Sequence, residues 1–257
     1  MLWGVHAVQE ALEARARHIE RVLVARGRAG LGRILRLARE LGVPVTHLPR
    51  KVLDRKTGSG VAHQGVAAVV SAARYADAET FFSGLSGRSD ALVVALDRVQ
   101  DPRNLGAVVR TAAAAGAVGV VVGSEGSVGL TATVAKASAG AIEHLPVVRV
   151  PRLASMLRRL RSEAGFRVLA LDPEAGRPWD RVTFLGRVVV VAGGEGSGLR
   201  TGVRDACDDR LSVPMAGGVP ALNVSVSVAV VLFEAVRQRR AAQASDSAVG
   251  DGREGRP

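Results

Sequence analysis

Four polar side chains sit where an apolar run stops and a tight turn begins. Asn104 and Arg110 lie in DRVQDPRNLGAVVRTA (97–112), and Glu195 lies among glycines in VVVVAGGEGSGLR (188–200). Asn223 lies in LSVPMAGGVPALNVSVSVAVVLFEA (211–235). An amide both donates and accepts hydrogen bonds, a carboxylate only accepts, and a guanidinium only donates. Such a set can orient a hydroxyl, face a cation and clamp an anion. A planar guanidinium suits a phosphate in particular.

Each residue also has a plainer reading. Pro102 fixes its own φ and keeps Asp101 out of the helical region, so Asn104 is placed to cap the helix that follows. Arg110 could be a surface cation. Its neighbours Val108, Val109, Ala112 and Ala113 are apolar, and an arginine in a buried setting needs an anionic partner. Glu195 could be a solvated loop acid. A carboxylate there would repel a nucleotide's phosphates but not a cofactor carrying a sulfonium cation and ribose hydroxyls. Gly193, Gly194, Gly196 and Gly198 allow close backbone approach and positive φ. The run lacks the GxxxxGK[ST] spacing of a phosphate loop, and the segment after Leu96 lacks GxGxxG, which disfavours a dinucleotide-dependent oxidoreductase. The histidines (6, 18, 47, 63 and 144) show no metal-ligand spacing, and His63 in AHQG reads as a turn or capping residue. Cys207, near Asp205, Asp208 and Asp209, is a poor nucleophile because acidic neighbours raise a thiol's pKa.

The elements that must position these groups alternate in type. Residues 5–16, 31–41 and 51–56 read as helices, and 21–25, 43–47 and 64–72 as strands, giving a compact α/β unit over 1–73. Residues 74–90 read as a linker with one helical turn where Phe81 and Phe82 dock. From 91 to 240 the spacing predicts strands at 91–96, 119–122, 147–150, 167–171, 188–192 and 211–213. Helices are predicted at 104–116, 131–140, 152–164 and 223–240. That alternation argues a mostly parallel sheet covered on both faces, which presents ligand groups at the carboxyl ends of its strands. Residues 241–257, small and polar, read as a disordered tail.

Composition agrees. The chain of 257 residues is 47% apolar and only 3% aromatic, so its core is built from aliphatic side chains, as a helix-covered parallel sheet requires. No apolar stretch reaches the length of a membrane span, no signal-peptide pattern opens the chain, and one cysteine permits no internal disulfide, which together suggest a cytoplasmic protein. Net charge is +11 and uneven. Residues 1–75 hold 13 Lys or Arg against 5 Asp or Glu, a net of +8, while 76–257 hold 22 against 19, a net of +3. Arginine makes up 32 of the 35 basic residues, which base composition could explain, but bias does not explain the asymmetry. A basic front on a nearly neutral body points to a polyanion held mainly by the front.

The three segments resemble, in order, the three signature motifs of the SpoU/TrmH family of RNA ribose 2′-O-methyltransferases. The likeness covers nearly the whole chain. GVHAVQEAL (4–12) and GSGVAHQGVAA (58–68) resemble the substrate-binding domain of the RlmB-type branch, which methylates a guanosine ribose in 23S ribosomal RNA. The resemblance implies an L30e-like RNA-binding domain at 1–73, and at 91–240 a SPOUT-type α/β domain ending in a deep trefoil knot, which ordinary topology rules would not give. It implies S-adenosyl-L-methionine as cofactor, held by Gly193, Gly194, Gly196, Val213, Met215 and Leu222, with Arg110, Asn104, Glu195 and Asn223 around the reacting hydroxyl. It implies a homodimer with its sites near the interface, ribosomal RNA as partner, and no metal. The chain departs from the family at one place. The motif Ser-Leu-Asn is Ala221-Leu222-Asn223, so that serine's hydroxyl is missing or its role shifts to Ser225. A catalytically weak RNA-binding homologue, or a resistance-type enzyme acting on another ribosomal RNA nucleotide, are the alternatives this leaves open.

Overall fold

A computed structural model of the chain describes residues 1–15, 18–58, 60–71, 73–196 and 198–251, the side chains of 246–251 excepted. The front runs β1 (Leu2–Trp3), α1 (Val5–Ala14), β2 (Ile19–Ala25), α2 (Gly32–Glu40), β3 (Val45–Leu48), α3 (Arg50–Thr57) and β4 (Val66–Val70). Strand β4 lies between β1 and β2, antiparallel to both, and β3 joins β2 in parallel. The two-residue β1 is too short to leave a periodic signal in the sequence. The AHQG stretch is a turn. Buried His63 accepts from the Gly65 N–H at Nδ1 (3.0 Å), which leaves Nε2–H to donate to Asp54 (2.6 Å). Gln64, at φ 54°, turns its Oε1 back to accept from the Val5 N–H (2.9 Å). That bond ties the start of α1 to the end of the domain.

Residues 74–90 carry the helical turn and more. Ala76 pairs with the edge of the second sheet, its N–H donating to the Val147 carbonyl (2.8 Å). Asp77 caps α4 (Ala78–Ser83) by accepting from the Thr80 N–H (2.8 Å). Phe81 and Phe82, edge to face at 5.2 Å, pack on the core below, and Leu85 is buried in it.

The remainder runs β5 (Ala91–Asp97), α5 (Pro102–Ala114), β6 (Gly119–Gly123), α6 (Ala132–Ala137), β7 (Val147–Val150), α7 (Leu153–Ala164), β8 (Arg167–Leu171), β9 (Arg187–Gly193), α8 (Thr201–Arg204), β10 (Asp209–Leu211) and α9 (Val224–Asp251). Six strands form one sheet in the order β10-β8-β9-β5-β6-β7, every neighbouring pair parallel. Alternation along the strands supplies two cores. Leu92, Val94, Leu96, Val188 and Val190 face one layer with Val108, Val109, Val228 and Leu232 of α5 and α9. Ala91, Val93, Ala95, Val189 and Val191 face the other with Leu153, Leu157 and Leu160 of α7. The α/β class with a mostly parallel sheet is therefore as the alternating pattern implied.

Three local readings change. The cap of α5 is Asp101, whose Oδ1 accepts from the Arg103 N–H (2.7 Å), with Pro102 as the first helical residue. Asn104 thus lies inside the first turn and is freed from capping. The third strand end sits two residues earlier, at Leu211, so Val213 belongs to the following loop. Helix α9 continues to Asp251, so residues 241–251 are helical where a disordered tail was expected. Ala241, Ala242, Gln243 and Ala244 are strong helix formers, and no glycine or proline follows them before Gly250. Residues 252–257 of that expected tail lie outside the described residues. Among the described residues no helix is long and apolar enough to cross a membrane.

Candidate active site

The sheet changes direction between β9 and β5. From β5 the chain moves outward through β6 and β7, and its later strands build on the opposite side. Ligands of open parallel sheets bind at such a switch, outside the carboxyl ends of the strands. Here the two strands end in register at Asp97 and Gly193. The loop beyond folds tightly onto β5: the Gly194 N–H donates to the Asp97 carbonyl (2.8 Å), and the Gly198 N–H donates to the Gly194 carbonyl (3.1 Å). A Cβ at Gly194 would overlap the Arg98 carbonyl, and one at Gly193 would overlap the backbone of Gly198. Gly196 and Gly198 instead need positive φ, 78° and 58°. Gly194→Ala is expected to cost about 1–3 kcal/mol of stability through overpacking, measured by denaturant titration. Unchanged stability would mean the backbone contact is not what closes the loop.

A second tie holds the loop from below. The Asp97 carboxylate is fully buried, accepts from the Arg200 backbone N–H (3.0 Å) and Nε (2.9 Å), and is ion-paired with Arg200 Nη2 at 2.7 Å. Arg200 also reaches Glu125 at the surface. These bonds, Asp97's first, raise the Arg200 pKa, so its charge is permanent. The sequence hides this pair, because Asp97 ends an apolar strand 103 residues before its partner.

Above the loop three of the expected residues meet. Asn104 Nδ2 donates to Glu195 Oε1 (2.8 Å), Asn223 Nδ2 donates to Asn104 Oδ1 (3.1 Å), and the same Asn223 nitrogen donates to Glu195 Oε1. They come from the first turn of α5, the glycine loop and the start of α9, helices that pack side by side on the sheet. The Asn223 amide is oriented by its own helix. Its Oδ1 accepts from the Ser225 N–H (2.9 Å) and hydroxyl (2.6 Å), so only Nδ2 can turn toward Glu195. Glu195 Oε2 keeps no partner among the described residues.

Glu195 forms part of the wall of a cavity of about 310 Å³ at the carboxyl ends of β8, β9 and β10, within the range of small-molecule sites. Gly193, Gly194, Gly196, Val213, Met215 and Leu222, the residues implied for the cofactor, all line it, as do Ala221, Val224 and Ser227. So do Leu171, Asp172 and Pro173 beyond β8, which the sequence reading passed over; a strand followed by Asp-Pro was the available signal. Among the described residues the wall is largely apolar and includes no Lys or Arg. It therefore suits a cofactor with a flat apolar base, hydroxyls and a positive centre better than one with phosphates. An open polar depression lined by Arg98, Gln100, Asp101, Glu195 and Gly196 shares the Glu195 wall from outside.

Arg110 stands apart. It is exposed and makes no hydrogen bond or ion pair among the described residues, so the buried anionic partner expected from its apolar neighbours is absent. Six residues past Asn104 it lies about 9 Å along the axis of α5 and about 120° round it. Those neighbours face the core, while Arg110 takes the outer face. Cys207 is inert as expected: burial, then Asp208, push its thiol up to about 12, and its Sγ–H donates to the Val203 carbonyl (3.2 Å). Native protein should label far more slowly with an aromatic disulfide reagent than unfolded protein; equal rates would contradict this. Among the described residues no three His, Cys, Asp or Glu side chains gather to hold a metal ion.

Comparison with known proteins adds to this geometry. Residues 91–233 match the SpoU rRNA Methylase family, and residues 1–76 match RNA 2′-O ribose methyltransferase substrate binding. The chain is 39% identical over 242 residues to the 23S rRNA (guanosine-2′-O-)-methyltransferase RlmB of Photobacterium profundum, covering 93% of this chain and 98% of that one. It is 44% identical over 240 residues to RlmB of Xanthomonas campestris pv. campestris, covering 92% and 95%. The SpoU methyltransferase AviRb from Streptomyces viridochromogenes, in complex with the cofactor AdoMet, superposes with a TM-score of 0.78 at 26% identity, covering 93% of this chain and 89% of that one. An AdoMet-bound rRNA methyltransferase from Sinorhizobium meliloti gives 0.75 at 25% identity, covering 91% and 85%.

Proposed function

This chain belongs to the SpoU rRNA methylase family, and from that premise we propose that it transfers a methyl group from S-adenosylmethionine to the ribose 2′-hydroxyl of a guanosine in 23S ribosomal RNA. The observation that carries the reading is the convergence of Asn104 and Asn223 on Glu195, whose carboxylate stands in the wall of a cavity lined, among the described residues, by no Lys or Arg. When bound, the cofactor supplies an activated methyl group. The protein's part is to place a nucleotide against it. Gly193, Gly194, Gly196, Val213, Met215 and Leu222 hold the cofactor, with the loop backbone and the Glu195 carboxylate suited to its hydroxyls and positive charge. Asn104 and Asn223 fix the carboxylate on one oxygen, which leaves Oε2 as an acceptor for a ligand hydroxyl. Arg110, without a hydrogen-bond or ion-pair partner among the described residues, clamps the RNA phosphate beside the target ribose and stabilises the charge that develops on its oxygen. A guanidinium stays protonated, so Arg110 is not the base. Positioning of this kind supplies several kcal/mol, up to about 7–11 in ideal intramolecular cases.

The proposal extends to the organisation of the molecule. Residues 1–73 form an L30e-like substrate-binding domain that takes most of the RNA's charge, residues 74–90 connect, and 91–240 form a SPOUT methyltransferase domain. Its carboxyl end is a trefoil knot. Residues 172–182 lie against Ser212 and α9, where the Gln238 amide donates to the Val182 carbonyl (2.9 Å) and accepts from the Phe184 N–H (2.8 Å). The protein works as a homodimer in the cytoplasm without a metal. Val226 and Phe233, seven residues apart on α9, are exposed and apolar, as is Leu222 just before the helix, and a second copy would cover them.

The test is to incubate the protein with labelled S-adenosylmethionine and 23S RNA from a strain lacking the gene, then map 2′-O-methyl marks. A single new mark on a guanosine is expected. A mark on another nucleotide would favour a resistance-type enzyme, and cofactor binding without transfer would favour a catalytically weak homologue.

A further inference from the structure

Resting on the methyl-donor reading, we propose that Ser227 replaces the hydroxyl this chain lacks at position 221, and that its Oγ contacts S-adenosylmethionine directly. Ala221 lies on the cavity wall, so a methyl group stands where the family motif carries a hydroxyl. Ser225, the nearest substitute in sequence, is already engaged. Its hydroxyl donates to Asn223 Oδ1 (2.6 Å), and it does not line the cavity. Ser227 does line it. It lies three residues beyond Val224, which also lines the cavity, so the two share one face of α9.

The state of its hydroxyl distinguishes it further. Among the described residues, three side chains in the wall carry polar groups: Asp172, Glu195 and Ser227. Asp172 accepts from the Glu174 N–H (3.0 Å) and from Arg210 Nη1 (3.2 Å). Glu195 accepts from Asn104 and Asn223. The half-buried Ser227 hydroxyl has no hydrogen-bond partner among the described residues. A ligand that displaced water from this apolar wall would strand that group unless it offered a partner. The cofactor's ribose hydroxyls, amino acid end and base nitrogens are all capable partners.

Calorimetric titration with S-adenosylmethionine tests this on full-length protein. Ser227→Ala should raise Kd about fivefold, the worth of one ordinary hydrogen bond. It should leave ligand-free protein no less stable in its unfolding curve, since alanine is the better helix former. Restoring the motif serine in Ala221→Ser/Ser227→Ala should recover most of the affinity. Equal Kd for wild type and Ser227→Ala would overturn the inference, as would a double variant no tighter than Ser227→Ala. Failure of the wild type to bind at all would instead overturn the methyl-donor reading on which it rests.

Discussion

Replacing Arg110 with alanine is expected to lower methyl transfer about 10²–10³-fold, the scale seen when a single preorganised donor to developing charge is removed. The protein should stay otherwise unaltered. Arg110 is exposed and bonds to nothing else among the described residues, so its loss should change stability by no more than about 0.5 kcal/mol. It is not in the wall of the cofactor cavity, so S-adenosylmethionine affinity should hold. Arg110→Lys separates the roles: it keeps the charge but not the planar fork, and should restore only a small part of the rate. Single-turnover kinetics, with enzyme and S-adenosylmethionine in excess over RNA, reads this out. Full activity in the lysine variant would dispose of the bidentate clamp, and full activity in the alanine variant would remove Arg110 from the reaction.

Arg200→Met should give the largest loss of stability, about 3–5 kcal/mol, because it strands the fully buried Asp97 carboxylate without its cation. The surface arm to Glu125, whose side chain is 72% exposed, contributes little. The double variant Asp97→Asn/Arg200→Met removes the stranded charge as well, and should therefore be more stable than Arg200→Met alone. Chemical denaturation of the three proteins checks the order. A double variant as unstable as the single, or less stable, would show that the ion pair's hydrogen bonds, and not its buried charge, carry the energy.

Much of the site was legible because its signals are local. Glycine runs, a proline and polar residues at the ends of valine-rich strands mark turns at a sheet edge, and three such turns meet. The cap of α5 was misassigned because Asp101 and Asn104 are both good capping residues, and only the Arg103 N–H decides between them. Arg110 reads as buried in the sequence because apolar neighbours in sequence are not neighbours on a helix; the structure puts it on the outer face of α5. Two features leave no local trace. The end of β8 has no glycine run to announce it, and Asp97 reads as the last residue of an apolar strand until Arg200 is found beneath it. The vacancy at 221 was visible in the motif, but the hydroxyl that best fits it was not. Choosing between Ser225 and Ser227 needs the direction of each side chain around the helix.

The join between the two sheets bears on how a nucleotide is chosen. Ala76 is stitched to the edge of the large sheet, Phe81 and Phe82 are seated in its core, Ala135 packs among the front domain's apolar residues, the Lys136 ammonium rests over the Trp3 ring, and His144 bonds to Glu10. Contacts on so many sides oppose a swing of the front sheet against the large one. If residues 1–73 take the RNA as proposed, the span from that surface to the cavity would work as a caliper with fixed jaws, and an RNA would have to bring the right ribose to the right distance by its own folded shape.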